Sequence, residues 1–142
     1  MNVLPATMKA AVQEQAGAAL RLLDLPVPVP APGQVLVRVA AAGLNPLDTK
    51  IRAGKAAHAR QPLPAVLGID LAGTVVAVGP DVDGWTVGDE VYGMTGGVGG
   101  VQGALAEYAA VDARLLAPKP ASFSMREAAA LPLGFITAYE GL

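Results

Sequence analysis

Apolar residues along this chain come in short, β-branched runs cut by glycine and proline, a pattern that predicts strands more readily than helices. The runs place strands at about Met8–Glu14, Ala19–Asp24, Gln34–Ala42, Ala72–Val78, Glu90–Tyr92, Ala104–Val111 and Leu115–Ala117. The stretch Val66–Gly93, VLGIDLAGTVVAVGPDVDGWTVGDEVYG, reads as a buried strand, a tight turn at Asp83-Gly84, a Gly88-Asp89 corner and a second strand. Between the second and third strands, PVPVPAPG (Pro26 to Gly33) cannot donate to a ladder at its prolines and reads as an extended surface connector. These elements together predict an all-β barrel or sandwich.

Two helices interrupt the strands. In the first, Asn45 can cap, Pro46 stands at the first helical position, Asp48 lies in the positive first turn and Gly54 can close the helix. The second begins at Ser124, with Glu127 three residues on completing a capping box. Its continuation, EAAALPLGFITAYEGL, is apolar nearly all round and interrupted by Pro132. A helix apolar on every face predicts burial, here under something else because it ends the chain.

Composition narrows the function classes. At 142 residues the chain fits one domain with a core of its own; 53% of it is hydrophobic and only 15% charged, which excludes a disordered segment. Ten basic and twelve acidic residues are scattered without a basic stripe, so nucleic acid is not an expected partner. No apolar run is long enough for a membrane span, and the N-terminus lacks an export signal, so a cytoplasmic protein is expected. There is no cysteine and one histidine, His58. A disulfide framework and a cysteine-rich structural zinc site are therefore excluded.

The candidate chemistry is sparse. The loop GMTGGVGGVQG (Gly93 to Gly103) contains no G-x-G-x-x-G and precedes a strand-like segment, so it reads as a flexible connector and not a phosphate cradle. Asn45, Asp48 and Lys50 follow an apolar strand and by themselves read as an ordinary capped turn. Lys50 and His58 read as solvated surface residues. Asp70 interrupts an apolar stretch and needs a partner if buried: backbone amides, or a base such as Arg52 or Lys50. Thr137, taken alone, reads as a hydroxyl bonded back to its own helix.

Four segments in order, AAGLNPLDTKIRAG, VLGIDLAGTVVAVG with VGDEVYG, GALAEYAAVDARLLAPKP and FSMREAAALPLGFITAYEGL, resemble the medium-chain dehydrogenase/reductase superfamily, in its zinc-independent quinone oxidoreductase-like branch. The resemblance implies a mainly β fold, a GroES-like partly open β-barrel with a few short helices, over residues 1–123. Residues 124–142 would form a helix leading toward a nucleotide-binding domain, and the Rossmann domain itself is absent from this chain. Where zinc-dependent relatives carry a cysteine, a histidine and a further cysteine or acidic ligand, this chain has Asn45, Ile69 and Leu133. Isoleucine and leucine offer zinc no lone pair, so no metal is expected.

By the same resemblance, NADP(H), bound mainly by the missing domain, would reduce a small-molecule quinone or conjugated carbonyl. Asn45 would lie beside the nicotinamide and donate its amide to the substrate oxygen, and Thr137 would approach the nicotinamide end of the cofactor. Lys50 stands where the branch often carries tyrosine, so either Lys50 or water would deliver the proton. Family members dimerise largely through the nucleotide domain, and a homodimer of the intact protein fits that habit. The competing expectation is a stand-alone GroES-like scaffold or co-chaperonin-like module without activity. The helix from Ser124 speaks against it, and light scattering showing a stable ring would support it.

Overall fold

The structure is a computed structural model in which residues 3–142 are described. Eight strands form two antiparallel sheets. One has three strands, in the order β2 (Arg21–Pro26), β1 (Thr7–Gln13), β4 (Ala65–Val66). The other has five, in the order β7 (Tyr108–Asp112), β3 (Gln34–Gly43), β5 (Asp70–Val78), β6 (Glu90–Met94), β8 (Leu116–Pro118). Helices α1 (Pro46–Arg52), α2 (Met125–Ala129) and α3 (Pro132–Glu140) complete it, giving a mainly β domain with no Rossmann unit among the described residues.

The core of the larger sheet is aliphatic. Val35, Val37, Leu71, Val75 and Val91 are fully enclosed, and Ala109, Val111 and Leu116 close the cluster. Branched residues suit this position because they pack against cross-strand neighbours on a pleated surface. A second cluster, Ile51, Ala65, Leu67 and Ile69, ties α1 to the β4–β5 connection and takes in Leu133 of α3 and Met94 of β6 at its margin. Beneath α2, Ala128 and Ala129 pack on Ala72.

The expected strands form, with shifted ends. β5 starts at Asp70, two residues earlier than the alternation predicts, because Asp70 already pairs with Gly43 on one side and Met94 on the other. The strand expected over Ala104–Val111 is regular only from Tyr108. Before it, the chain crosses between sheets, giving its amides to Gly68 and Leu67 and exchanging bonds with Lys9 and Ala11 of β1. β4 was not expected; two residues carry too little pattern to read. The turn after β5 centres on Pro80-Asp81, with Asp81 at φ 61°, and Gly84 makes a bend beyond it.

The helix expected from Ser124 is two. Ser124 Oγ accepts from the Glu127 amide at 3.1 Å and starts α2, which ends at Ala129; Pro132 then occupies the first position of α3. Proline lacks the amide that would have continued the first helix, and its fixed φ suits a helix start. The glycine-rich connector is pinned, not loose. Gln61 clasps it through Val101 O (2.7 Å) and Gly100 N (2.8 Å), and a Cβ at Gly103 would stand 2.2 Å from the Leu67 carbonyl.

Candidate active site

The end of β3 and the start of β5 are cross-strand neighbours, and this pairing builds the site. Gly43 is opposite Asp70, so the chain leaving β3 reaches Asn45, the α1 cap, directly over the first residue of β5. The approach is close: a Cβ at Gly43 would meet Ala129 O at 2.1 Å, so α2 can lie against β3 here only over glycine.

Two aspartates lie under the cap. Asp48 is 6% exposed and uses both oxygens, Oδ2 accepting the Asn45 amide at 2.8 Å and Oδ1 the Ile69 amide at 3.2 Å. Asp70 has no exposure at all. Its Oδ2 accepts two bonds, from Asn45 Nδ2 at 3.1 Å and from the Leu133 amide at 3.0 Å, while Oδ1 has no partner among the described residues. Burial pushes both carboxyls above the usual range. For Asp48 the Asn45 and Ile69 bonds pull part of that rise back; for Asp70 the Leu133 and Asn45 bonds do so, and the Asp48 charge adds to the rise.

The expected partner of Asp70 was an amide or a base. It has the Leu133 amide and the Asn45 carboxamide; neither Arg52 nor Lys50 reaches it. The Leu133 N–H is the contact the sequence reading missed. As the second residue of α3 after Pro132, its amide is one of the donors a helix start leaves unpaired. A carboxylate there also meets the positive end of the helix dipole.

Asn45, Ile69 and Leu133 are thus brought together, with Ile69 and Leu133 in one apolar cluster. Among the described residues no three His, Asp or Glu side chains stand close enough to hold a metal ion. Lys50 is exposed on α1 and its side chain makes no hydrogen bond among the described residues; it follows the inward-facing Asp48 by two positions, about 200° around the helix. Thr137 is exposed on α3, also without a side-chain bond among the described residues. His58 is exposed.

Beside the junction runs an apolar groove of about 630 Å³, walled by Tyr92, Met94, Leu115, Phe123, Pro132 and Phe135. Met94 pairs with Asp70 in the sheet and Pro132 precedes Leu133, so the groove adjoins the polar cluster. A larger hollow of about 750 Å³ around Asp83, Trp85 and Arg114 contains none of the expected site residues. No helix among the described residues is long and apolar enough to cross a membrane.

The chain is 52% identical over 113 residues to a 2-methylene-furan-3-one reductase from Solanum lycopersicum, covering 77% of this chain and 29% of that protein. It is 44% identical over 146 residues to a chloroplastic NADPH-dependent alkenal/one oxidoreductase from Arabidopsis thaliana, covering 98% of this chain and 38% of that one. The crystal structure of an alcohol dehydrogenase superfamily protein from Novosphingobium aromaticivorans superposes with a TM-score of 0.92 at 66% identity, over 94% of this chain and 41% of that one. The chain therefore spans less than half the length of each. The family described as Alcohol dehydrogenase GroES-like domain matches residues 31–121, and the chain belongs to that family, within the medium-chain dehydrogenase/reductase superfamily.

Proposed function

We propose that this chain is the catalytic-domain portion of a zinc-independent, NADPH-dependent oxidoreductase that reduces quinones, enones or related conjugated carbonyls. One observation carries the reading: a carboxamide, Asn45, is held by a buried carboxylate beside an apolar groove, at a junction whose other two positions, Ile69 and Leu133, are hydrocarbon. That donor set does not fit zinc, which takes nitrogen, sulfur or carboxylate oxygen. Both nearby carboxylates already accept amide hydrogens.

When bound, NADP(H) supplies the hydride. Asn45 and Thr137 are the residues of this chain that would lie against its nicotinamide end, Thr137 with a hydroxyl that makes no hydrogen bond among the described residues. The remaining chemistry belongs to the chain. Reduction of a conjugated carbonyl develops negative charge on its oxygen, and the second Nδ2–H of Asn45 donates to that oxygen. The groove takes the apolar body of the substrate and excludes water around the reacting carbon.

The last proton comes from Lys50 or from water. Lys50→Ala separates the two in the protein expressed with any coding sequence that follows Leu142. A fall in kcat of about 10²-fold assigns the proton to Lys50, and an unchanged kcat assigns it to water. The cofactor half of the proposal is tested by titrating the 142-residue chain with NADPH. Weak binding is expected, because Asn45 and Thr137 alone offer no pyrophosphate site; micromolar affinity would sink the idea that the cofactor is held mainly elsewhere.

A further inference from the structure

We infer that Asp70 is the positioning residue of this site, its single oxygen Oδ2 orienting the Asn45 carboxamide and fastening the first turn of α3 to the same point. The inference rests on the proposed reduction for its kinetic consequence and on geometry for its substance.

Three elements meet at that oxygen. Asp70 opens β5 in the middle of the five-stranded sheet, hydrogen-bonded into both β3 and β6, so its backbone cannot move without the core. From this fixed point Oδ2 takes the Asn45 Nδ2–H at 3.1 Å and the Leu133 N–H at 3.0 Å. An amide group is planar, so once one Nδ2–H is committed to Asp70 the direction of the other is set. It makes no directed hydrogen bond among the described residues, at a half-exposed residue beside the groove, although the carboxamide also lies close enough to Asp48 to hold that carboxyl down. The bond also settles which end of the carboxamide is nitrogen, since a carboxylate repels the oxygen end. The bond to Leu133 places α3, and with it the exposed Thr137, relative to the same atom. One buried charge therefore sets the angle between the proposed carbonyl donor and the helix proposed to approach the cofactor.

The neighbouring Asp48 divides its main-chain bonds, each oxygen accepting one amide. Asp70 instead takes both bonds on one oxygen, and Oδ1 has no partner among the described residues. A buried acceptor left unpaired is costly. Loading both bonds on one oxygen is what orienting two groups toward one point requires.

The kinetic test uses the protein with any coding sequence that follows Leu142. Asp70→Ala lowers kcat by about 10²-fold, the size of effect a misplaced group produces, with KM for the carbonyl substrate nearly unchanged. Asp70→Asn, which still offers one carbonyl oxygen to both donors, recovers most of the loss. In an Asn45→Ala background Asp70→Ala has a much smaller further effect on kcat, because only the placing of α3 is left for it to lose. An undiminished further fall in that background, or an unchanged kcat in the single variant, overturns the inference.

A second measurement needs no variant. In the 142-residue chain, the two side-chain amide protons of Asn45 are inequivalent by NMR, one exchanging with solvent far more slowly than the other. Both exchanging as fast as a free amide overturns the inference even if Asp70→Ala does not fold. An enzyme inert toward quinones and enones removes the proposed reduction and leaves the positioning to be decided by this exchange alone.

Discussion

The interior of the five-stranded sheet and the junction of β3, β5, α1 and α3 lie a few residues apart in sequence and are held by opposite means. Leu71, Val37, Val75 and Val91 are enclosed by one another and carry no polar side-chain atoms. One residue before Leu71, Asp70 is equally enclosed and is held by two directed bonds. The difference teaches where each kind of force is useful. Apolar burial is strong and without direction, so it fixes the platform. Hydrogen bonds to a buried carboxylate offset the cost of burying it and add a defined angle, so they aim the groups that stand on it.

The comparison predicts that the two regions fail differently. Leu71→Ala removes a fully buried side chain from the platform and costs about 2–5 kcal/mol of stability, read as the shift in a urea unfolding midpoint. Asn45→Ala removes the α1 cap and one of the two donors to Asp70, so it shifts that midpoint less than Leu71→Ala does, by about 1–2 kcal/mol, while weakening transition-state binding in the intact enzyme by about 1–3 kcal/mol, about 5- to 150-fold in kcat/KM. If Asn45→Ala instead lowered stability as much as Leu71→Ala and left kcat/KM alone, the junction would be platform as well, and the contrast would collapse.

The smallest effect is in pH. The Asp70 carboxyl lies above its ordinary value because burial disfavours the charge. The folded state therefore holds its proton more tightly than the unfolded chain does. Its contribution to stability is fully present below the ordinary carboxylate range and is lost as pH rises through the raised value. Asp70→Asn has no such proton to lose. Its stability relative to wild type should therefore rise between about pH 4 and neutrality, read from thermal midpoints of both proteins across that window. Asp48 shifts in the same direction, and since its charge contributes to the Asp70 rise, removing the Asp70 charge relieves Asp48 as well and adds to the difference with the same sign. Asp112, lowered to about 2 by Arg114, gives the opposite sign but only at more acid pH. A flat difference between the two proteins would place Asp70 with its charge already satisfied.

The platform was largely legible in the sequence because its cause is local. Short β-branched runs between glycines and prolines mark strands wherever they lie, and Asn45-Pro46 and Ser124 mark helix starts from the residues themselves. What was not legible came from contacts made far along the chain. Ala104–Glu107 has strand composition but spends its amides between two sheets, and nothing within it signals that. Asp70 in an apolar run announced a need for a donor, yet one of its donors is a main-chain amide 63 residues away. Pro132 carried the missing clue. A proline opening a new helix leaves the next amide free, and a buried carboxylate is what such an amide seeks. Lys50, adjacent in sequence to the cap, is brought no closer to it by the fold, because two helical positions turn a side chain to the far side.

The central claim is that hydride transfer at this junction needs the Asn45 amide and no metal. Its most direct test is the rate of NADPH oxidation with an enone or quinone, measured on the protein expressed with any coding sequence that follows Leu142, before and after exhaustive treatment with a zinc chelator. The account predicts the same rate in both samples. Activity lost with the metal and restored by adding zinc would contradict it.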